Sequence, residues 1–228
     1  MDIPWEEKGT HLSAKEKVII AKSLQEFQLG ESSEGRNLIA AALRYARRTG
    51  DTAYVETIRL FIAEEQRHAA DLARFMKMNG IPTVKTTFMD YVFRRLRSLM
   101  PGLELSVGVL VTAELIAKVY YDVLWQATQS PLLRRLCEQI LKDELSHVAF
   151  QADQLTTLRE GRGRLAYAAT MGAQRVLFCG TVLMVWVFHR PVIQRGGLNF
   201  ADWWSSCWRE FSEAFATATI PVTAAVRA

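Results

Sequence analysis

Cysteine is scarce in this 228-residue chain: there are three, Cys137, Cys179 and Cys207, and no two form a CxxC pair. That excludes a zinc ribbon, a rubredoxin-type iron site and a disulfide framework, and it points to a reducing, cytoplasmic setting. Glycine (13) and proline (6) are also few. They fall between periodic runs, so apolar residues keep helical spacing over long stretches and no alternating strand pattern emerges. Neither sign of charge dominates. The net charge is +4, and the basic residues (Arg94-Arg95, Arg134-Arg135, Arg162, Arg164) are scattered among acids, which gives no sign of a nucleic-acid surface. The first seven residues, Met1-Asp2-Ile3-Pro4-Trp5-Glu6-Glu7, lack the apolar core of a secretory signal. A glycine-rich dinucleotide fingerprint is missing as well.

Half of the residues are apolar and 23% are charged, a balance that predicts one globular domain over residues 1–228. One long hydrophobic run stands out. Residues 165–188 carry a single formal charge, Arg175, and the fully apolar part, 176–188, is shorter than the ~20 residues a bilayer needs. A buried helix is therefore expected ahead of a membrane helix, with a membrane-associated scaffold as the rival.

The predicted architecture is all-α. A first long helix spans 13–48, opened by a Ser13/Glu16 capping box, with Gly30 and Gly35 as weak points. Thr49-Gly50-Asp51 turns the chain into a second helix that ends at Asn79-Gly80-Ile81-Pro82. A crossover with a short helix over 89–99 and the break Met100-Pro101-Gly102 leads to a third helix over 103–128. Ser130-Pro131 opens a fourth, which runs to about residue 159. The bundle thus covers 13–159, and a C-terminal extension over 164–217 adds two helices, the second rich in aromatic residues.

Two short patterns carry the chemistry: Glu65-Gln66-Arg67-His68 and Glu144-Leu145-Ser146-His147. A spacing of three puts carboxylate and imidazole on one helical face. Two of only four histidines satisfy it, and all four residues continue apolar stripes, where an unpaired charge is costly. The two patterns are offset by 79 residues. Glu114 lies on the inward stripe of the third helix, and stepping back 80 residues reaches Glu34. The midpoints of Glu34/Glu65 and of Glu114/Glu144 fall at predicted turns, so each pair returns to one level of its hairpin. Glu31, one turn before Glu34, is the rival first-helix ligand; Glu34 is placed ahead. Four carboxylates and two imidazoles suit iron or manganese. Metal-bound histidines donate their other ring N–H to an acceptor, and the two-fold offset pairs Asp143 with His68 and Glu64 with His147. Tyr121, two turns after Glu114, is a candidate hydrogen-bond partner. The plain alternative is a metal-free core network of Glu–His pairs. His11 and His189 lie off the stripes and are expected at the surface or at caps.

Glu34 (or Glu31), Glu65-x-x-His68, Glu114 and Glu144-x-x-His147 together resemble the ferritin-like superfamily of di-iron carboxylate proteins, and the flanking Glu-Gln-Arg-His is similar to that of aldehyde-deformylating oxygenases. The resemblance covers residues 13–159. It implies a four-helix bundle with a long crossover and two Fe ions (or Mn/Fe, or Mn2) bridged by Glu65 and Glu144. His68 and His147 would each serve one metal, with Glu34 and Glu114 as terminal carboxylates. It further implies an oxygenase or oxidase that uses O2 on a small, apolar organic substrate, with electrons from a ferredoxin or reductase. The extension over 164–217 would wall a substrate channel or form a homodimer contact. Non-catalytic iron storage is the alternative function.

Overall fold

The computed structural model describes residues 3–6, 11–32, 35–99 and 102–217, and these form helices and connecting turns with no strand. Eight helices follow in order: α1 (Ala14–Glu31), α2 (Arg36–Thr49), α3 (Thr52–Met78), α4 (Phe88–Leu99), α5 (Leu103–Ala127), α6 (Pro131–Arg159), α7 (Arg164–Arg195) and α8 (Phe200–Thr217). Local chemistry sets most of these bounds. Ser13 and Glu16 form a reciprocal capping box on α1. Asp51 accepts from Tyr54 N to start α3, and Ser130 accepts from Leu133 N ahead of Pro131 to start α6.

The single first helix expected over 13–48 is in fact two. α1 stops at Glu31 and α2 begins after Gly35, whose φ is +62°. A Cβ on Gly35 would lie 2.2 Å from Ile62 Cδ1 of α3. Both the left-handed backbone and the close approach demand glycine here, and the helix breaks to let α2 and α3 pack against each other. Glu34 lies outside the described residues, as do Met100 and Pro101 of the expected break before α5.

α5 and α6 form the most extensive helix pair. α3 packs on α1, α2 and α6, while α4 crosses between α1 and α5. The shared core includes Ile20 and Leu24 of α1, Ile58, Leu72 and Phe75 of α3, Leu115, Tyr120 and Leu124 of α5, and Leu133, Ile140 and Leu155 of α6. Full burial of such side chains contributes roughly 1.5–3 kcal/mol each.

α7 departs from expectation in two ways. It runs past Phe188 to Arg195, through Pro191, because Val192 and Ile193 are buried and Arg195 Nε donates to Ala127 O of α5 at 2.7 Å. It is also buried on one side only. Phe178, Val182, Val185 and His189 face the protein, while Val176, Leu183 and Val187 are exposed. By length and composition α7 is apolar enough to cross a membrane, and 39% of its most apolar window is buried. His189, expected at the surface or a cap, is 1% exposed. Its apolar neighbours along α7 conceal it in the sequence, because its polar partners come from α1 and α4. His11 is exposed.

Candidate metal centre

α3 and α6 each carry a Glu-x-x-His pattern, and their register brings both patterns together. The His68 and His147 rings are 6.1 Å apart. α1 adds Glu31 and α5 adds Glu114. The donor atoms fall into two groups, each with all atoms within 4.8 Å: Glu31, Glu65, His68 and Glu144, and Glu65, Glu114, Glu144 and His147. Glu65 and Glu144 belong to both. Glu65 Oε1 is 3.6 Å from His68 Nδ1 and 3.4 Å from His147 Nδ1, so it stands between the rings.

The outer ring nitrogens are held from across the bundle. His68 Nε2 is 3.0 Å from Asp143 Oδ2, and His147 Nε2 is 2.9 Å from Glu64 Oε2. These are the cross-helix pairs that the two-fold offset predicts. Tyr121 donates to Glu31 Oε1 at 2.6 Å. Three supporting residues escape the sequence reading. Gln139 donates to both oxygens of Asp143, Arg67 donates to Asp143 Oδ2, and Gln151 donates to Glu114 Oε1. Gln139 and Gln151 each lie four residues from a named position, Asp143 and His147, which is the signal that would have marked them.

With the outer nitrogens engaged, the inner atoms are left over. Glu65 Oε1, His68 Nδ1, both oxygens of Glu144 and His147 Nδ1 are buried without a hydrogen-bond partner. Burial and the neighbouring Glu114 and Glu31 charges push Glu65 well above the usual carboxylate range. Burial and Glu144 do the same to Glu114, and burial with the Glu65 charge brings Glu144 to about 8. Burial works against charge on His68, but Glu31 and Glu65 outweigh it and raise that imidazole to about 11. Burial likewise opposes ionisation of Glu31, which its contacts with His68 and Tyr121 nevertheless hold below its ordinary value. Four carboxylates this close cannot all ionise unaided. Two divalent cations would balance their charge and satisfy the partnerless atoms, so this donor set fits a dinuclear site of hard-to-borderline metals.

Two hollows reach these residues. A groove of about 650 Å³, lined by Gly35, Arg36, Phe61, Arg94 and Ser106 among others, meets Glu65 beside the α1–α2 break. A smaller cavity of about 150 Å³ reaches Glu31, Glu65 and Glu114 between α1, α4, α5 and α7. Thr181, Val185 and His189 of α7 line it, but α8 contributes no residue to it. Of the α8 aromatic residues, Trp203 serves packing: it is fully buried and donates to Val182 O at 3.2 Å. The extension is therefore part cavity wall and part buttress.

The fold and site together define an all-helical bundle with a buried Glu/His cluster able to hold metal. Comparison of the chain with protein-family models, curated proteins and solved structures finds no match.

Proposed function

We propose that this protein is a ferritin-like di-iron carboxylate oxidoreductase that uses O2 to oxidise a small, apolar organic substrate, with electrons from an external ferredoxin or reductase. The observation that carries this reading is the pair of overlapping donor groups sharing Glu65 and Glu144. In it, Glu31, Glu65, His68 and Glu144 would hold one iron and Glu65, Glu114, Glu144 and His147 the other, with Glu65 and Glu144 within reach of both. Reduced iron held there would supply the electrons that activate O2.

The chain's own residues prepare the site. Asp143 and Glu64 hold the outer histidine nitrogens and thereby turn both Nδ1 atoms inward. The Tyr121 hydroxyl holds one oxygen of Glu31 and leaves the other toward the centre. Phe27, Leu110, Ile116 and Val185 line the approach between α1, α5 and α7 with hydrocarbon, which limits water there. An apolar hollow meeting the ligands suits oxidation of an organic molecule better than deposition of mineral.

Anaerobic loading with Fe(II), followed by metal analysis and stopped-flow absorbance on mixing with O2, tests the reading. Two irons per chain and rapid O2-dependent oxidation are expected, and His68→Ala or His147→Ala should abolish stoichiometric binding. Retention of two irons by either variant overturns the ligand assignment. Continued ferric mineral growth would favour storage.

A further inference from the structure

The lining of the cavity of about 150 Å³ contains two polar groups. One is Glu31, Glu65 and Glu114 of the metal centre. The other is Glu26 with His189, and the rest of the lining is mainly hydrocarbon: Phe27, Met89, Phe93, Val109, Leu110 and Val185 among them.

His189 is locked in place. Its Nδ1 is 2.7 Å from Ser23 Oγ, which also meets the Tyr120 hydroxyl. Its Nε2 faces Met89 Sδ at 3.2 Å. Phe27 stacks on Tyr120 and places its edge against the His189 ring. Glu26 is different. Its side chain is 8% exposed, and Oε2 lies 3.4 Å from His189 Nε2 without forming a hydrogen bond. A buried carboxylate oxygen with no hydrogen-bond donor is costly, and here the residue lines a hollow of molecular size.

The lining carries five acids and one group able to become cationic, His189, whose Nε2 lies 3.4 Å from Glu26 Oε2. Glu26, Glu31, Glu65, Asp90 and Glu114 line the cavity, with no lysine or arginine among the lining residues. Asp90 is neutralised by Arg94, which donates to both its oxygens. Two divalent metals would neutralise the three glutamates at the centre together with Glu144. Glu26 is then the acid whose buried oxygen still lacks a donor. Such a wall repels carboxylates and phosphates and accepts N–H or O–H donors.

We propose that this cavity binds a small organic molecule with an apolar body of about six carbons and a terminal ammonium or hydroxyl group, held by Glu26 and directed with its other end toward the metal centre. The size follows from volume, since an apolar cavity of about 150 Å³ accommodates a benzene ring. The inference rests on the di-iron reading for which end is oxidised, whereas recognition by Glu26 is measurable without turnover.

The test is calorimetric titration of the full-length chain, with and without Mn(II), using benzylamine, benzyl alcohol, benzoate and toluene. Metal content is determined on the same samples. Benzylamine and benzyl alcohol should bind at least about tenfold more tightly than benzoate or toluene. Glu26→Gln should weaken benzylamine by about tenfold or more and benzyl alcohol by less, because the amide oxygen still accepts. Glu26→Leu should weaken both, with unchanged helical circular dichroism confirming folding. Equal binding of benzoate, failure of both donors to bind, or benzylamine affinity unchanged in the well-folded Glu26→Leu and Glu26→Gln variants overturns the proposal. Two bound metals with no donor preference would sink this inference and leave the di-iron reading standing. Donor binding to Glu26 in a chain that takes up no metal would do the reverse.

Discussion

His68 of α3 and Asp143 of α6, 75 residues apart in sequence, meet with Nε2 and Oδ2 3.0 Å apart. Asp143 is itself gripped by Gln139 and Arg67. Burial raises its affinity for a proton, but Gln139 and His68 more than offset this and keep it ionised. One carboxylate thus ties two helices and fixes the direction of an imidazole. Asp143→Asn should weaken metal binding by about 10–100-fold, the usual cost of removing such an outer partner. Chelator competition checks it, and an unchanged affinity would show that His68 is aimed by packing alone. Glu64 is more exposed than Asp143, so Glu64→Gln should cost less.

The metal-free chain should lose stability as pH rises. Glu144 binds its proton more tightly folded than unfolded, with its value raised from 4.5 to about 8. Its contribution is complete below pH 4.5 and lost as pH climbs through about 8. Glu65 and Glu114 shift the same way. His68, raised from 6.5 to about 11, adds a further loss at still higher pH. Glu31, shifted downward, opposes the trend only on the acid side of its ordinary 4.5. Thermal melts of EDTA-treated protein should therefore show Tm falling from about pH 5 to pH 8. Since metal displaces these protons, added Mn(II) should raise Tm more at pH 8 than at pH 5. A metal effect independent of pH would contradict the assignment.

Tyr121→Phe removes the donor to Glu31 Oε1 and leaves a buried carboxylate without that hydrogen bond. A loss of about 1–3 kcal/mol in stability is expected, measured by urea unfolding of metal-free protein. Metal stoichiometry should remain at two, because the hydroxyl is not a ligand in this reading. A fall to one would make Tyr121 part of the coordination.

Gly35 and Gly50 both have positive φ, but they should respond differently to alanine. At Gly50 a Cβ meets open space, so only the backbone penalty of about 1 kcal/mol applies. At Gly35 the Cβ collides with Ile62. Gly35→Ala should cost about 1–3 kcal/mol, and Ile62→Ala in the same chain should recover part of it, seen as coupling in a double-mutant cycle. Equal effects at the two glycines would remove the steric argument.

Helix type, hairpin turns and the Glu-x-x-His positions are legible in the chain because each is written locally: a 3.6-residue period, a cap, a proline or a three-residue spacing. The bounds of α3, α5, α6 and α8 follow from such signals to within a residue or so. The cross pairing of Asp143 and Glu64 is also legible, through the repeat offset.

What local signals lack is the position of a neighbouring helix. The break between α1 and α2 depends on Ile62 of α3 approaching Gly35, and it places Glu31 at the cluster while Glu34 falls outside the described residues. The offset of 80 that favours Glu34 assumes an unbroken helix, and the break removes that premise. His189 is hidden because its partners, Ser23 and Met89, are 166 and 100 residues away. Glu26 reads as one more acid on α1 until α4, α5 and α7 close around it. The sequence by itself therefore determined an all-helical chain and most of the acids and imidazoles that converge. Only the tertiary structure showed that Glu31 reaches the cluster and that the buried acid Glu26 faces a hollow, because burial and distance arise between helices rather than along one.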